Sequence, residues 1–288
     1  MTVATLGKIG DPAKPVNVSK NITEMALEPA QIYEYDEITE EDVLTQVFDP
    51  SVLVIEGVAD VEKSKAYLYT TKMEGLKKRI ARRIELMFAQ IISQGKITYD
   101  DGERKYEVDF NITPETYDLS ASTEGVYNDL QDFMDEMRKK GHAPTIMLMT
   151  KSVHNTLMKN DDWLEYLDKN KLNLGRAVMT TNTNVRRTFD IVDFPEMYIY
   201  FGEYKDGATT KKYIEGDKII LIDPSVFRLA YGAIVDFTKG EQGKVVQTDV
   251  MVWTETPERT RKLLKVLSRP LPYVVSPEGV KIINVNLS

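Results

Sequence analysis

The chain has 288 residues, of which 42% are hydrophobic, so it can bury a core as one large domain or two modest ones. Its net charge of -8 argues against a nucleic-acid-binding surface over the whole protein, and its lack of cysteine excludes disulfides, thiolate metal sites and a cysteine nucleophile. We find no apolar run of membrane-spanning length and no apolar signal segment at the start, so we expect synthesis and assembly in a cytoplasm, with no membrane partner.

The first sixty residues are acidic and poor in apolar side chains. Only Lys8, Lys14 and Lys20 are basic before Lys63, whereas residues 34–42 contain six acids. Such a segment has too few apolar residues for a core of its own. Two interpretations remain open: a disordered acidic tail, or an extended arm that becomes ordered against a partner.

A long amphipathic helix is predicted over residues 63–94. No proline interrupts it, and Gly95 provides a C-terminal stop. At 1.5 Å per residue it would be about 48 Å long, which requires an extended surface beneath it. Steps of three and four residues give one apolar stripe. We expect packing or assembly contacts from this stripe, which comprises Tyr69, Met73, Leu76, Ile80, Ile84, Met87 and Ile91.

The rest of the chain alternates between short helices and strands. Asp101-Gly102 predicts a hairpin within residues 96–110, and a second helix is expected over 123–140. A third helical stretch, 152–168, is expected to break near Asn160. The pattern has no βαβ rhythm and indicates an α+β fold. Strands are predicted at 145–149, 197–201, 218–222, 245–253 and 280–285.

Sequence signals for catalysis or cofactor binding are weak. No glycine-rich phosphate-binding motif is present, and residues 240–244 have the composition of such a loop but the wrong spacing. The two histidines, His142 and His154, lack metal-ligand spacing and an activated nucleophile nearby. We therefore expect no catalytic, cofactor or metal site.

One basic cluster lies on the long helix. Its charges could contact phosphates, or they could pair with the acidic first sixty residues of the same or another chain. No aromatic platform accompanies the basic run, so pairing is favoured. The cluster comprises Lys77, Lys78, Arg79, Arg82 and Arg83.

The order of these segments resembles the major capsid proteins of tailed phages, with the Hong Kong 97 fold, and in particular the lambda-type major capsid protein E family. No single motif is decisive, but their order and spacing together are persuasive over residues 10–286. The stretches that carry the resemblance are 83–98 with 106–110, 141–149, 217–224 with 231–234, and 256–259 with 269–272.

This resemblance implies a structural protein without catalytic residues. Many copies would form the pentamers and hexamers of an icosahedral shell enclosing double-stranded DNA, without sequence specificity, with scaffold, portal and decoration proteins as further partners. It also implies a division of the chain. Residues 1–12 would be an arm remnant, 13–50 an extended E-loop, 51–117 with 246–288 a peripheral domain containing the spine helix 63–94, and 118–245 an axial domain.

Two alternative functions were weighed. A bacterial nanocompartment shell, or encapsulin, resembles the same fold but encloses enzymes, and the later motifs fit it less well. A small-molecule enzyme with an unrecognised site is disfavoured by the missing motifs and the scarcity of histidine.

Overall fold

The computed structural model describes residues 29–47, 61–100, 105–119, 125–169, 184–188, 194–206, 208–236 and 243–287. The expected arm remnant 1–12 lies outside these ranges, as do residues 13–28 and 48–50 of the expected E-loop. Five helices are described: α1 (Glu40–Val47), α2 (Val61–Gln94), α3 (Val126–Lys139), α4 (Lys151–Leu157) and α5 (Asp161–Lys169).

Seventeen strands are described. In chain order they are β1 (Ile32–Thr39), β2 (Lys96–Asp100), β3 (Lys105–Asp109), β4 (Glu115–Asp118), β5 (Ile146–Met149), β6 (Val185–Arg187), β7 (Glu196–Tyr200), β8 (Glu203–Asp206), β9 (Thr209–Lys212), β10 (Lys218–Ile222), β11 (Phe227–Tyr231), β12 (Ile234–Asp236), β13 (Lys244–Val246), β14 (Met251–Glu258), β15 (Arg261–Ser268), β16 (Pro270–Val274) and β17 (Val280–Asn286).

A six-stranded mixed sheet, in the order β4-β17-β10-β5-β7-β6, forms the centre of the protein. Successive side chains of β10 point to opposite faces, which explains why this strand is apolar throughout. Ile219 and Leu221 pack against α3, α4 and α5. Ile220 and Ile222 pack against the last turns of α2 and the β2–β3 hairpin.

A single lysine is buried in this sheet. Lys281 of β17 is 10% exposed, and its ammonium contacts the carboxylates of Glu115, at 2.9 Å, and Glu136. It also lies 4.8 Å from the centroid of the Phe133 ring. Two carboxylates and an aromatic face compensate for the loss of water around this charge.

A second, three-stranded sheet has the order β1-β15-β14 and packs on the first half of α2. The long helix therefore spans two sheets, and its 34 residues extend over about 51 Å. Gly95 ends it with a left-handed φ of 76°. That residue accepts a hydrogen bond from Phe110, which ties the helix end to the hairpin that follows.

Residues 29–47 of the acidic segment have their partners within the same chain. All eight residues of β1 pair with β15, and Ile38 is 4% exposed. A reciprocal capping box begins α1, in which Thr39 and Asp42 each accept a hydrogen bond from the backbone N–H of the other. Order in this part of the segment does not require a second subunit.

One sequence-based expectation is wrong in detail. Residues 245–253 do not form one strand, because β13 ends at Val246 and β14 begins at Met251. Between them the chain bends at Asp249, whose carboxylate accepts a hydrogen bond from the N–H of Val250 at 2.8 Å. Two strand pairs in the six-stranded sheet are parallel, β5 with β7 and β4 with β17.

The other expected elements agree with the structure. The hairpin forms as β2–β3, although its Asp101-Gly102 turn is outside the described residues. Asn160 separates α4 from α5 and caps the latter, accepting a hydrogen bond from the N–H of Trp163 at 3.0 Å. Strand β17 comes from the range expected to be peripheral, but it lies in the six-stranded sheet and so joins the two expected domains.

Candidate assembly surface and basic cluster

The apolar stripe of α2 faces two different cores. Leu76 and Ile80, at 1% and 2% exposure, pack against Leu264 and Val266 of β15. Met87 and Ile91 pack in the core beneath the six-stranded sheet. Tyr69, Met73 and Ile84 are partly buried. All seven stripe residues thus lie along one helix, and the four buried ones hold it to the sheets of its own chain.

The basic cluster on α2 divides into paired and unpaired charges. Arg79 forms an ion pair with Glu34 of β1 at 3.2 Å. Arg83 acts on Asp206 of β8. The pKa of this carboxyl lies below its ordinary value chiefly because Lys211 donates a hydrogen bond to it at 2.6 Å, and the positive charge of Arg83 lowers it slightly further.

The remaining cluster members, Lys77, Lys78 and Arg82, are exposed. No ion pair links them to any residue within the described ranges. Among the cluster members, Arg79 is the one that pairs with the described part of the acidic segment, residues 29–47. Lys77, Lys78 and Arg82 place three positive charges on the exposed surface of α2.

Lys72 makes the principal contact between α2 and the acidic segment, and sequence reasoning missed it. Its ammonium lies 3.1 Å from Asp42 and 3.5 Å from Asp36, and it donates to the backbone carbonyl of Glu37. The pKa of Asp42 is lowered chiefly by the N–H of Thr39, with a further contribution from Lys72. The excess of acid opposite the helix was the available signal, but it did not indicate which lysine would pair.

A second contact that the sequence did not reveal joins α2 to the six-stranded sheet. One oxygen of the Glu85 carboxylate accepts hydrogen bonds from the Tyr200 hydroxyl at 3.0 Å and from the Asn184 amide at 3.1 Å. Burial, followed by the charge of Glu85, raises the pKa of Tyr200 above its ordinary value. This contact fixes the C-terminal half of the long helix against β7.

His142 bonds to neighbouring turns of the chain, and His154 is partly buried. His142 lies 3.4 Å from Asp223 and 2.9 Å from the hydroxyl of Ser276, so it joins the turn after α3 to the turns after β10 and β16. Burial lowers the pKa of His154, which favours its neutral form. Among the described residues, no cluster of three or more acids and histidines has the geometry to hold a metal ion.

Comparison with known proteins identifies the family. The family model for phage major capsid protein E matches residues 3–285. This chain belongs to the phage major capsid protein E family. A search of curated proteins finds no match.

Several solved structures are similar to this capsid protein. A prophage protein of E. coli CFT073 named as a capsid protein superposes with a TM-score of 0.66 at 19% identity, covering 90% of this chain and 77% of that one. The capsid of Myoviridae phage XM1 gives 0.46 at 8% identity, covering 89% and 73%. The SrpI encapsulin of Synechococcus elongatus PCC 7942 gives 0.43 at 10% identity, covering 90% and 75%. The superposition on the E. coli CFT073 prophage protein, with its TM-score of 0.66, shows that this chain has the same fold.

The family assigns the function. The protein is a structural subunit with the Hong Kong 97-like fold, it is not an enzyme, and copies of it assemble into the icosahedral capsid of a phage virion. No helix in the described part of the chain is long and apolar enough to cross a membrane. Because the family match is to a phage capsid protein, the encapsulin and small-molecule enzyme alternatives are not supported.

Proposed function

We propose that this capsid protein contacts packaged double-stranded DNA through Lys77, Lys78 and Arg82 of α2. The observation that carries the proposal is that these three charges are exposed, while their neighbour Arg79 is paired with Glu34 of the same chain. Lysine and arginine contacts to phosphate neutralise charge without reading sequence, and such binding weakens steeply with salt. An acidic protein can thereby attract DNA to one surface while the rest of it repels.

The division of the chain that the resemblance implies is proposed as well. Residues 13–50, which include β1, would act as the extended E-loop. Residues 51–117 and 246–288, which include α2, would act as the peripheral domain, and residues 118–245 would act as the axial domain around the capsomer axes. The apolar stripe supports this by holding α2 against both sheets. Scaffold, portal and decoration proteins are proposed as further partners.

The DNA contact can be tested by changing Lys77, Lys78 and Arg82 together to alanine. Binding of the unassembled subunit to a short duplex would be measured by fluorescence anisotropy between about 50 and 200 mM salt. If all three residues contact phosphates, the slope of log K against log salt should fall by about 0.9 for each contact, or roughly 2.7 in total.

A matched control removes the same charge elsewhere. Lys139, Lys140 and Lys159 are exposed and lie outside α2, so changing all three to alanine should leave the salt slope nearly unchanged. If the two triple variants lose binding equally, net charge alone governs the interaction and the proposal for α2 is wrong.

A further inference from the structure

Three polar side chains meet where loops converge at one end of the six-stranded sheet. His142 lies in the turn after α3, Asp223 directly follows β10, and Ser276 precedes β17. The Nε2 atom of His142 lies 2.9 Å from the Ser276 hydroxyl, and its Nδ1 atom lies 3.4 Å from a carboxylate oxygen of Asp223. Contacts in this order, from serine to histidine to aspartate, are the arrangement in which histidine activates a serine hydroxyl for nucleophilic attack.

The Asp223 carboxylate is ionised and held in place. It is 12% exposed, and it accepts a hydrogen bond from the N–H of Ser225 at 2.9 Å. Burial alone would raise the pKa of Asp223, but hydrogen bonds from Ser225, His142 and Ala143 outweigh burial and leave that pKa below its ordinary value. Because an ionised carboxylate only accepts hydrogen bonds, the neutral form of His142 carries its proton on Nδ1. Its Nε2 atom is then an acceptor.

The Ser276 hydroxyl donates to this acceptor rather than capping its own turn. Ser276 stands at the start of the short 3-10 helix Pro277–Gly279, but its side chain makes no capping hydrogen bond there. Ser276 is half-buried, His142 is 17% exposed, and the adjacent Val275 is 63% exposed. The serine therefore lies close enough to the surface of the subunit for a small molecule to reach it.

We propose that Ser276 is an acylation site for activated esters, with His142 as the base and Asp223 as the residue that positions the base. The Ser276 oxygen bonds to the carbonyl carbon of the ester while Nε2 of His142 accepts the hydroxyl proton. The carbon–oxygen bond to the leaving group then breaks, and the alcohol departs with that proton. The products are one acylated serine and one free alcohol, so the reaction requires no other reactant.

The acyl group should remain on the protein, because the site lacks part of what a hydrolase uses. Serine hydrolases stabilise the developing oxyanion with backbone N–H groups, and in the α/β-hydrolases the residue after the nucleophile supplies one of them. In this chain that residue is Pro277, which has no N–H. The expected reaction is therefore a single covalent modification without turnover, as befits a structural subunit.

Acetylation by p-nitrophenyl acetate tests the proposal on the unassembled full-length subunit. Peptide mass spectrometry at successive times gives the rate of acetylation at each serine. Ser152 is the internal control, because it is exposed at the start of α4 and exposure alone would favour it over the half-buried Ser276. With His142 acting as a base, Ser276 should be acetylated on the order of 100-fold faster than Ser152.

Two substitutions separate the roles of the partners. His142→Gln removes the base and should slow acetylation of Ser276 by about 100-fold, with Ser152 unchanged. Asp223→Asn retains an oxygen that can accept from the N–H of Ser225, since asparagine caps turns as well as aspartate does. Its amide can donate to Nδ1, which favours the proton on Nε2 and should slow Ser276 by at least a similar factor.

Nitrogen-15 NMR tests the proton position in the natural chain, without any substitution near the site. The chain has two histidines, and a His154→Gln variant assigns their signals. The neutral form of His142 should be protonated on Nδ1, and Asp223→Asn should move that proton towards Nε2. A carboxylate that served only to hold the loops together would not produce this change.

Three results would overturn the proposal. Equal acetylation rates at Ser276 and Ser152 would show that the serine is not activated. An unchanged rate at Ser276 in the His142→Gln variant would show that the histidine is not the base. A neutral His142 protonated on Nε2 in the natural chain would leave the Ser276 proton without an acceptor.

Discussion

Alanine substitutions at Gly75 inside α2 and at Gly95 directly after it should change stability in opposite directions. Gly95 ends the helix at a φ of +76°, and a Cβ there would lie 2.2 Å from the carbonyl oxygen of Ile112. A left-handed alanine costs about 1–2 kcal/mol, and relieving the clash requires backbone movement, so Gly95→Ala should destabilise the subunit by about 3 kcal/mol or more. Gly75 is exposed in the helix interior, and outside its own helix turn no described residue comes within 4 Å of the added methyl group. Gly75→Ala should stabilise by about 0.5–1 kcal/mol.

Urea unfolding of unassembled subunits, followed by circular dichroism, measures both changes on one scale. The two variants receive the same methyl group in the same helix, so each is the control for the other. A Gly95→Ala midpoint within experimental error of the natural chain would refute the helix end described here. A destabilised Gly75→Ala variant would show that this face of α2 is covered rather than exposed.

Three further substitutions test the contacts of α2. Leu76→Ala should destabilise by about 2–5 kcal/mol in urea unfolding, whereas Lys77→Ala on the exposed face should stay within about 0.5 kcal/mol; similar losses would contradict the packing of the stripe. Glu85→Ala removes the carboxylate that accepts hydrogen bonds from Tyr200 and Asn184, and it should lower the free energy of unfolding by about 1–3 kcal/mol. Glu85→Gln keeps an acceptor oxygen and should lose less stability. Equal losses for the two variants would argue against these hydrogen bonds. The pKa of Asp42 is lowered in the folded state, so its contribution to the free energy of unfolding is complete above pH 3.8, the ordinary pKa, and is lost as the pH falls through the lowered pKa of the folded protein. Asp42→Asn should therefore make the free energy of unfolding fall less steeply at acid pH. An unchanged acid dependence would show that Asp42 makes no such contribution.

Local patterns in the sequence predicted much of the fold because they depend on neighbouring residues. Gly95 and the apolar periodicity of α2 predicted residues 63–94, and the structure has Val61–Gln94. The helix expected over residues 123–140 likewise corresponds to α3, Val126–Lys139. These signals arise from backbone geometry within a few residues of chain.

Contacts between distant segments could not be predicted in the same way. Ile32 pairs with Ser268, more than two hundred residues later, and no local pattern specifies that register. The same limit applies to Lys72 and Glu85, whose partners come from other elements. The stacking of Tyr33 on Trp253 also depends on such pairing, since the two rings meet only when β1 and β14 flank β15.

Electron microscopy of the purified protein tests the central claim most directly. Full-length protein, alone and with the scaffold from the same phage, would be concentrated, fractionated by size and imaged. If copies of this chain build a capsid, the large fractions should contain closed shells whose reconstruction resolves pentamers and hexamers with α2 continuous along each subunit. A protein that remains monomeric under every assembly condition, with the scaffold supplied and the chain folded, would contradict the claim.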